Sequence, residues 1–172
     1  MEMRESRAPL APFALSLCIL ALDQASKALV AAHVEQGSVA FSALGDFFWI
    51  VRQSNLGMAF SLLDKLPPGP RAAILVALPL ALVAAVAVFY FKSREPTALQ
   101  RWALCGIVGG GLGNVIDRIF RSDGVVDFIS VRCYGLFGYT RWPTFNVADA
   151  SVVVSALILV VSTIVIDARR KR

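Results

Sequence analysis

The sequence predicts an α-helical integral membrane protein, in which four transmembrane helices carry a small extracytoplasmic β-structure between helices 1 and 2. Hydrophobic residues make up 57% of the 172 residues and charged residues only 17%, and the mean hydropathy is +0.67, outside the usual range of soluble domains. Four apolar stretches are each close to the roughly 20 residues that a helix needs to cross about 30 Å of hydrocarbon. The predicted spans cover about 10–34, 71–91, 102–120 and 147–166.

We expect these spans to form a single membrane domain. The first is too long for the apolar core of a signal peptide and contains Asp23 and Lys27, so we interpret it as a retained helix. The third contains GGGLGN at 109–114, and glycine in a spanning helix lets neighbouring backbones approach closely. Between the first two spans, residues 37–63 mix β-branched and aromatic residues with turn signals at Gly45-Asp46 and Ser54-Asn55, which indicates short strands.

Lysine and arginine predict the orientation, because they concentrate on the cytoplasmic side of membrane proteins. They lie before the first span, between the second and third, and after the fourth, so both termini are expected in the cytoplasm and the segments 35–70 and 121–146 outside. The sequence pI near 9.5 then follows from topology and from attraction to anionic membrane lipid, and we expect no nucleic-acid partner. The basic residues are Arg4, Arg7, Lys92, Arg94, Arg101, Arg169, Arg170, Lys171 and Arg172.

Ionisable residues inside the spans indicate a structural or functional role, since inserting each charged side chain near the bilayer centre costs roughly 2.5–3.5 kcal/mol. Asp23 and Lys27 are four residues apart and can pair on one face of the first helix, either as a structural ion pair or in support of a site. A second polar group is predicted at the outer surface, because the third helix runs outward and the fourth begins outside. Its members are Asn114, Asp117 and Arg118 in the third span, Asp127 in the following segment, and Asn146 and Asp149 at the start of the fourth.

Two carboxylates, Asp127 and Asp149, can therefore meet at the outer surface. His33 is the only histidine and the three cysteines show no metal-site or disulfide spacing, so no metal or cofactor is expected. A carboxylate pair that shares one proton can supply both a general acid and a general base, as in aspartyl hydrolases. Helix packing, an ion site and a proton relay are the alternatives that the spacing alone leaves open.

Five blocks of sequence resemble, in order and through nearly the whole chain, the bacterial lipoprotein signal peptidases, or type II signal peptidases. They are LDQASK (22–27), NLGMAF (55–60), GGGLGNVIDR (109–118), VVDF (125–128) and FNVADA (145–150). The resemblance implies a four-helix aspartyl endopeptidase of the bacterial inner membrane with a small outer β-structure. It would act, as a monomer without a cofactor, on diacylglyceryl-modified prolipoproteins and cut just before the lipidated cysteine.

The resemblance also implies roles for individual residues. Asp127 and Asp149 would be the catalytic pair, and Asp23 and Lys27 belong to the family's first-helix motif. The residues that would line or support the site are Asn55, Gly57, Gly110, Asn114, Asp117, Arg118, Asn146 and Ala148. Two departures stand out: Met58 replaces a small residue of the family pattern, and the segment at 119–126 is slightly long.

Two rival interpretations remain at this level. A proton- or ion-coupled transporter would also use intramembrane carboxylates, but internal repeats and midplane sites, which such proteins usually show, are not evident. A structural membrane scaffold would account for the composition and for little else.

The topology can be tested with reporter fusions. A reporter placed after Arg172 or within residues 92–101 should stay in the cytoplasm, whereas one inserted near Gly45 should be exported. Export of the fusion after Arg172 would contradict the orientation and would move both aspartates to the cytoplasmic side.

Overall fold

A computed structural model describes residues 8–57, 67–93 and 95–171. Within these residues the chain forms four long helices and one three-stranded antiparallel sheet, and all four helices are long and apolar enough to span a membrane. The predicted architecture is thus confirmed. The helices are α1 (Phe13–His33), α2 (Pro68–Lys92), α3 (Ala98–Phe120) and α4 (Val147–Arg170), and the strands are β1 (Val39–Ala43), β2 (Phe48–Asn55) and β3 (Val125–Val131).

The helix ends differ from the predicted spans in ways that proline and charge explain. Helix α1 begins at Phe13 instead of near residue 10, because Pro12 occupies the N-cap position. Helix α2 begins at Pro68, since a proline in the first turn loses no hydrogen bond. Helix α4 continues through the basic residues to Arg170, where cations lie favourably at the helix C-terminus.

Helix α3 lies at the centre of the bundle. In the most apolar 18-residue stretch of each helix, 56% of the residues are buried in α3, against 22% in α1 and 6% in each of α2 and α4. Glycines make this close packing possible: a Cβ atom on Gly109 would lie 2.8 Å from the Ser16 backbone of α1, and one on Gly110 would meet the Ala148 carbonyl of α4. The predicted close approach at the glycine run is therefore confirmed.

The sheet has the strand order β1-β2-β3. A turn joins β1 to β2, and Gly45 and Asp46 take positive φ values of 61° and 64° there, at the predicted turn. The prediction that the β-structure lies between helices 1 and 2 was incomplete, because β3 follows α3 and pairs with β2, with Gln53 opposite Asp127. Strand β3 is buried along most of its length and so lacks the alternating pattern by which half-buried strands are recognised.

The sheet covers the end of α1. Val30 of α1 packs against Val126 and Phe128 of β3. Arg52 of β2 donates to two carbonyl oxygens at the helix end, Ala31 at 2.8 Å and Val34 at 3.1 Å. This docking fixes the sheet at the end of α1, and β3 pairs in turn with Phe145 in the segment that leads into α4.

Replacing Gly110 with alanine should destabilise the protein, because its Cβ would meet a backbone carbonyl and the Ser151 hydroxyl of α4, and would lie 2.9 Å from Val152. Overpacking of this kind costs about 1–3 kcal/mol. The measurement is the unfolding temperature in detergent. Gly69→Ala in α2 is the matched control, since its Cβ would meet open space and its stability should be unchanged. Equal stability of the two variants would show that the α3–α4 contact is looser than described.

Candidate active site

The two candidate catalytic carboxylates come from different elements. Asp127 is the third residue of β3 and Asp149 the third residue of α4. Asp127 is only 3% exposed, whereas Asp149 is half-buried. The start of α4 lies beside β3, because the backbone N–H groups of Phe128 and Ile129 both donate to the carbonyl of Phe145. Both carboxylates therefore belong to one site at the sheet end of the bundle.

Asn146 links the two carboxylates directly. Its side-chain Nδ2 donates to Asp127 Oδ1 at 2.7 Å. Its Oδ1 accepts from the backbone N–H of Asp149 at 2.9 Å, and its own backbone N–H donates to Asp149 Oδ2 at 3.2 Å. These last two bonds form a capping box that starts α4. The residue that begins the helix is thus also the residue that ties the pair together.

Two further asparagines complete the hydrogen bonding of the pair. Asn55 at the end of β2 donates from Nδ2 to Asp127 Oδ2 at 3.0 Å. Asn114 of α3 donates from Nδ2 to Asp149 Oδ1 at 2.7 Å. Among the described residues, each of the four carboxylate oxygens accepts one N–H, and its other lone pairs can accept from water, substrate or a shared proton.

The orientation of all three side-chain amides is set by groups that can only donate. The amide oxygen of Asn55 accepts from the backbone N–H of Gly57 at 2.8 Å, and that of Asn114 accepts from Lys27 Nζ at 2.9 Å. The oxygen of Asn146 accepts from a backbone N–H as described. Because none of these donors can accept, the three NH₂ groups must face the carboxylates. Gly57 makes its contact with φ at +91°, a conformation that favours glycine.

A buried ion cluster lies behind the pair. Lys27 Nζ contacts Asp23 Oδ2 at 2.7 Å and Asp117 Oδ2 at 2.9 Å, and all three side chains are fully buried. Arg121 Nε contacts the other oxygen of Asp117 at 3.0 Å. Two cations thus balance two carboxylates, which is the arrangement that a low-dielectric interior requires.

The cluster also positions the start of α4. Asp23 Oδ1 accepts the backbone N–H of Ala148 at 2.9 Å and so satisfies one of the unpaired donors of the first helical turn. Gly113 leaves room for this contact, since a Cβ there would lie 2.6 Å from Asp23 Oδ2. Asp23 thus takes part both in the predicted ion pair with Lys27 and in the contact that holds the start of α4.

Other predicted site residues are distributed around this core. Asp117 belongs to the ion cluster, and its hydrogen bonds among the described residues go to that cluster, to Gln24 and to the backbone of Val126. Arg118 interacts electrostatically with Asp127 and Asp149, and its Nη1 lies 3.4 Å from the carbonyl oxygen of Asn114. Its Nε is buried and has no hydrogen-bond partner among the described residues. Gly110 lies against α4, and Met58 falls outside the described residues.

Two participants were not among the predicted site residues. Gln24 donates from Nε2 to Asp117 Oδ1 and to the carbonyl of Gly113, both at 3.1 Å. Arg121 holds Asp117, as described above. The i, i+4 spacing of Asp117 and Arg121 on α3 was a visible signal for the second contact, whereas the contact of Gln24 joins residues far apart in the chain.

Burial raises the pKa of Asp127 to about 6. The hydrogen bond from Asn55 opposes this rise, the negative charge of Asp149 adds to it, and the hydrogen bond from Asn146 and the charge of Lys27 oppose it. Asp127 can therefore hold or release a proton near neutral pH, as a general acid or base must.

In the parts of the chain that the structure describes, no three histidine, cysteine, aspartate or glutamate side chains come together as a possible metal site. The chemistry that the described groups offer is proton transfer between a paired carboxylate site and a bound molecule.

Sequence comparisons place this geometry in a known context. Residues 15–165 match the family model described as signal peptidase (SPase) II. A lipoprotein signal peptidase of Treponema pallidum (strain Nichols) is 43% identical over 88% of this chain and 81% of its own length. Those of Treponema denticola and Borreliella burgdorferi (strain ZS7) are 42% and 40% identical, over 94% and 87% of this chain and 92% and 86% of their own lengths.

Two solved structures share the fold. Both are described as bacterial membrane enzymes determined by the in meso method, at 1.9 Å and 2.3 Å resolution. They superpose with TM-scores of 0.77 and 0.78 at 23% sequence identity, and cover 94% and 99% of this chain and 97% of each solved chain.

The comparisons support the peptidase interpretation and not the transporter alternative. The family model spans most of the chain, and the relatives match at 40–43% identity along most of their own lengths. The chain is a peptidase that belongs to the signal peptidase II family.

Proposed function

We propose that this chain removes the signal peptide from diacylglyceryl-modified prolipoproteins by cutting just before the lipidated cysteine, with Asp127 and Asp149 as the catalytic pair. The relatives are lipoprotein signal peptidases, which supports this substrate class. The observation that carries the catalytic assignment is the sharing of Asn146, which donates to Asp127 and caps α4 together with Asp149. The enzyme acts as a monomer and needs no cofactor.

The reaction is hydrolysis by a water molecule bound between the two carboxylates. One carboxylate takes a proton as the water attacks the scissile carbonyl and later passes it to the leaving amine, while the protonated partner donates towards the developing oxyanion. Three oriented amides hold the carboxylates in place before substrate arrives, so little reorganisation is needed during the reaction. Arg118 adds a positive charge close to the negative charge that develops.

We also propose that the site lies at the outer face of the bacterial inner membrane, with both termini in the cytoplasm. Support comes from the position of the pair at the ends of α3 and α4 beside the sheet, and from the basic residues at the opposite helix ends. At that level the signal-peptide helix and the acyl chains can remain in lipid while water enters from outside. The lipid bilayer is thus a partner of the enzyme as well as its solvent.

Asp127→Asn and Asp149→Asn should each abolish turnover, because an amide cannot exchange the proton that the reaction needs, and general acid–base catalysis alone contributes roughly 10²–10⁴-fold. The measurement is cleavage of a diacylated prolipoprotein by purified protein in detergent, together with substrate binding and unfolding temperature. At either position, the NH₂ group of the new asparagine would face one of the N–H donors that now bond to the carboxylate. This unfavourable contact will partly offset any gain in stability from removing a buried charge.

Asp123→Asn is the matched control, since Asp123 is exposed in the turn before β3 and should keep full activity. Substantial turnover by either pair variant, or normal specific activity in a variant that folds poorly, would contradict the carboxylate mechanism.

The pH dependence follows from Asp127. Its carboxyl is protonated below about pH 6, so kcat/KM should fall as pH rises through that value, approaching tenfold per pH unit. The native state also binds this proton more tightly than the unfolded chain does. The free energy of unfolding should therefore fall as the pH rises from about 4 to about 6, by at most about 3 kcal/mol. Asp127→Asn should remove this part of the stability profile. An activity profile that is flat from pH 5 to 8 would argue against a proton-sharing pair.

A further inference from the structure

We propose that Lys27 is a positioning residue which, through the side chain of Asn114, keeps Asp149 as the ionised member of the pair and leaves Asp127 to carry the proton. This inference rests on the proposed function, because it assigns the roles of the same two carboxylates.

Lys27 makes one hydrogen bond in addition to its two ion pairs. Its ammonium has three N–H donors and three close acceptors, namely Asp23 Oδ2, Asp117 Oδ2 and Asn114 Oδ1, at 2.7, 2.9 and 2.9 Å. With Arg121 also on Asp117, the cluster is already neutral without the asparagine. A purely structural ion pair would not need the third contact, which is the one that leads to the catalytic pair.

The contact with Lys27 decides which atom Asn114 presents to Asp149. The amide oxygen of Asn114 accepts from Lys27 and, at 3.1 Å, from Asn146 Nδ2. Its NH₂ group must then point to Asp149 Oδ1. If the amide were reversed, its oxygen would face that carboxylate oxygen and would favour a proton there. An ammonium cannot accept a hydrogen bond, so Lys27 prevents the reversal.

The environments of the two carboxylates then differ in kind. Both aspartates accept a donor on each oxygen, but Asp149 lies in the first turn of α4, where the helix dipole favours a negative charge. Asp127 lies in a strand, is almost fully buried and has no helix end to stabilise its charge. Burial raises its pKa, as described above, so the proton is held more readily on Asp127.

The surrounding charges are consistent with one proton on the pair. Asp23 and Lys27 approach from α1, Asp117 and Arg118 from α3, and β2 contributes only the neutral Asn55. Since the ion cluster is neutral, Arg118 is the cation left to balance the pair. Arg118 interacts with both aspartates. A single proton makes this group neutral. The asymmetry comes from the burial of Asp127 and from the helix start at Asp149, whose donor Asn114 is held in orientation by Lys27.

The hydrolytic steps balance with these roles. In the first, the water oxygen bonds to the carbonyl carbon, a water proton passes to Asp149, and the proton of Asp127 passes to the carbonyl oxygen. In the second, Asp149 gives its proton to the amide nitrogen as the C–N bond breaks, and Asp127 recovers a proton from the hydroxyl group that becomes the new carboxyl. The pair returns to its starting state.

The first test is the pH profile of kcat/KM in full-length protein. Lys27→Met with Asp117→Asn removes the ammonium while keeping the cluster neutral, and should move the fall of kcat/KM to higher pH by about one unit, with kcat reduced more than KM is changed. Lys27→Arg retains the positive charge and the hydrogen-bond donor, so kcat/KM should fall at the same pH as in the unmodified protein. Lys92→Met, an exposed lysine at the other end of the bundle, is the matched control and should leave the profile unchanged.

A second variant covers the case in which the Lys27 variants fail to fold. Asn114→Leu leaves the ion cluster intact but removes the donor to Asp149, and should produce the same upward shift. If kcat/KM fell at an unchanged pH in a folded Lys27→Met/Asp117→Asn or Asn114→Leu variant, Lys27 would have only a structural role and the inference would be overturned.

Infrared spectroscopy of protein with isotope-labelled aspartate carboxyls, recorded at pH 5, locates the proton independently. The band of a protonated carboxylic acid should be absent in Asp127→Asn and present in Asp149→Asn, and the reverse pattern would overturn the assignment. Activity in either aspartate variant would instead defeat the proposed function itself, so the two failures are distinguishable.

Discussion

The contact between Lys27 and its two carboxylates is the interaction on which this end of the molecule depends. A charge buried among membrane helices must be neutralised within the protein, and removing one partner of such a group typically costs 3–5 kcal/mol. Here the requirement is met by residues of α1 and α3, with Asp23 also accepting the backbone N–H of Ala148 in the first turn of α4. The need to neutralise one ammonium thus fixes the relative positions of three helices, and the carboxylate pair is built on that frame.

Asparagine is well suited to the layer between this frame and the pair. The oxygen of each amide accepts a hydrogen bond from a donor in the frame, and its NH₂ group donates to a carboxylate. The amide adds no charge that would itself need a partner. The three asparagines come from β2, α3 and the start of α4, so the sheet and the helices contribute to the same site. Their orientations are settled by Lys27 and by two backbone N–H groups, which makes the site rigid before a substrate binds.

Much of this could be predicted from the sequence because it depends on local pattern and chain direction. Hydropathy located the four helices, and the direction of α3 and α4 predicted that Asn114 and Asp149 would lie at the same end. Strand β3 was missed because its pairing with β2 joins distant parts of the chain and its burial hides the alternation. The contacts of Gln24 with α3 were missed for the same reason, since nothing in the local sequence marks the partner.

The position of Asn146 at the junction of β3 and α4 has a consequence for biosynthesis. A ribosome delivers the chain from the N-terminus, so α1, the first two strands, α3 and β3 exist before α4 begins. A nascent chain that ends before residue 146 has Asp127 but neither Asp149 nor the amide that joins the two carboxylates. Under the proposed catalytic roles, cleavage competence arises once α4 has inserted beside α3, so an unfinished chain would not act on neighbouring precursors during its own synthesis.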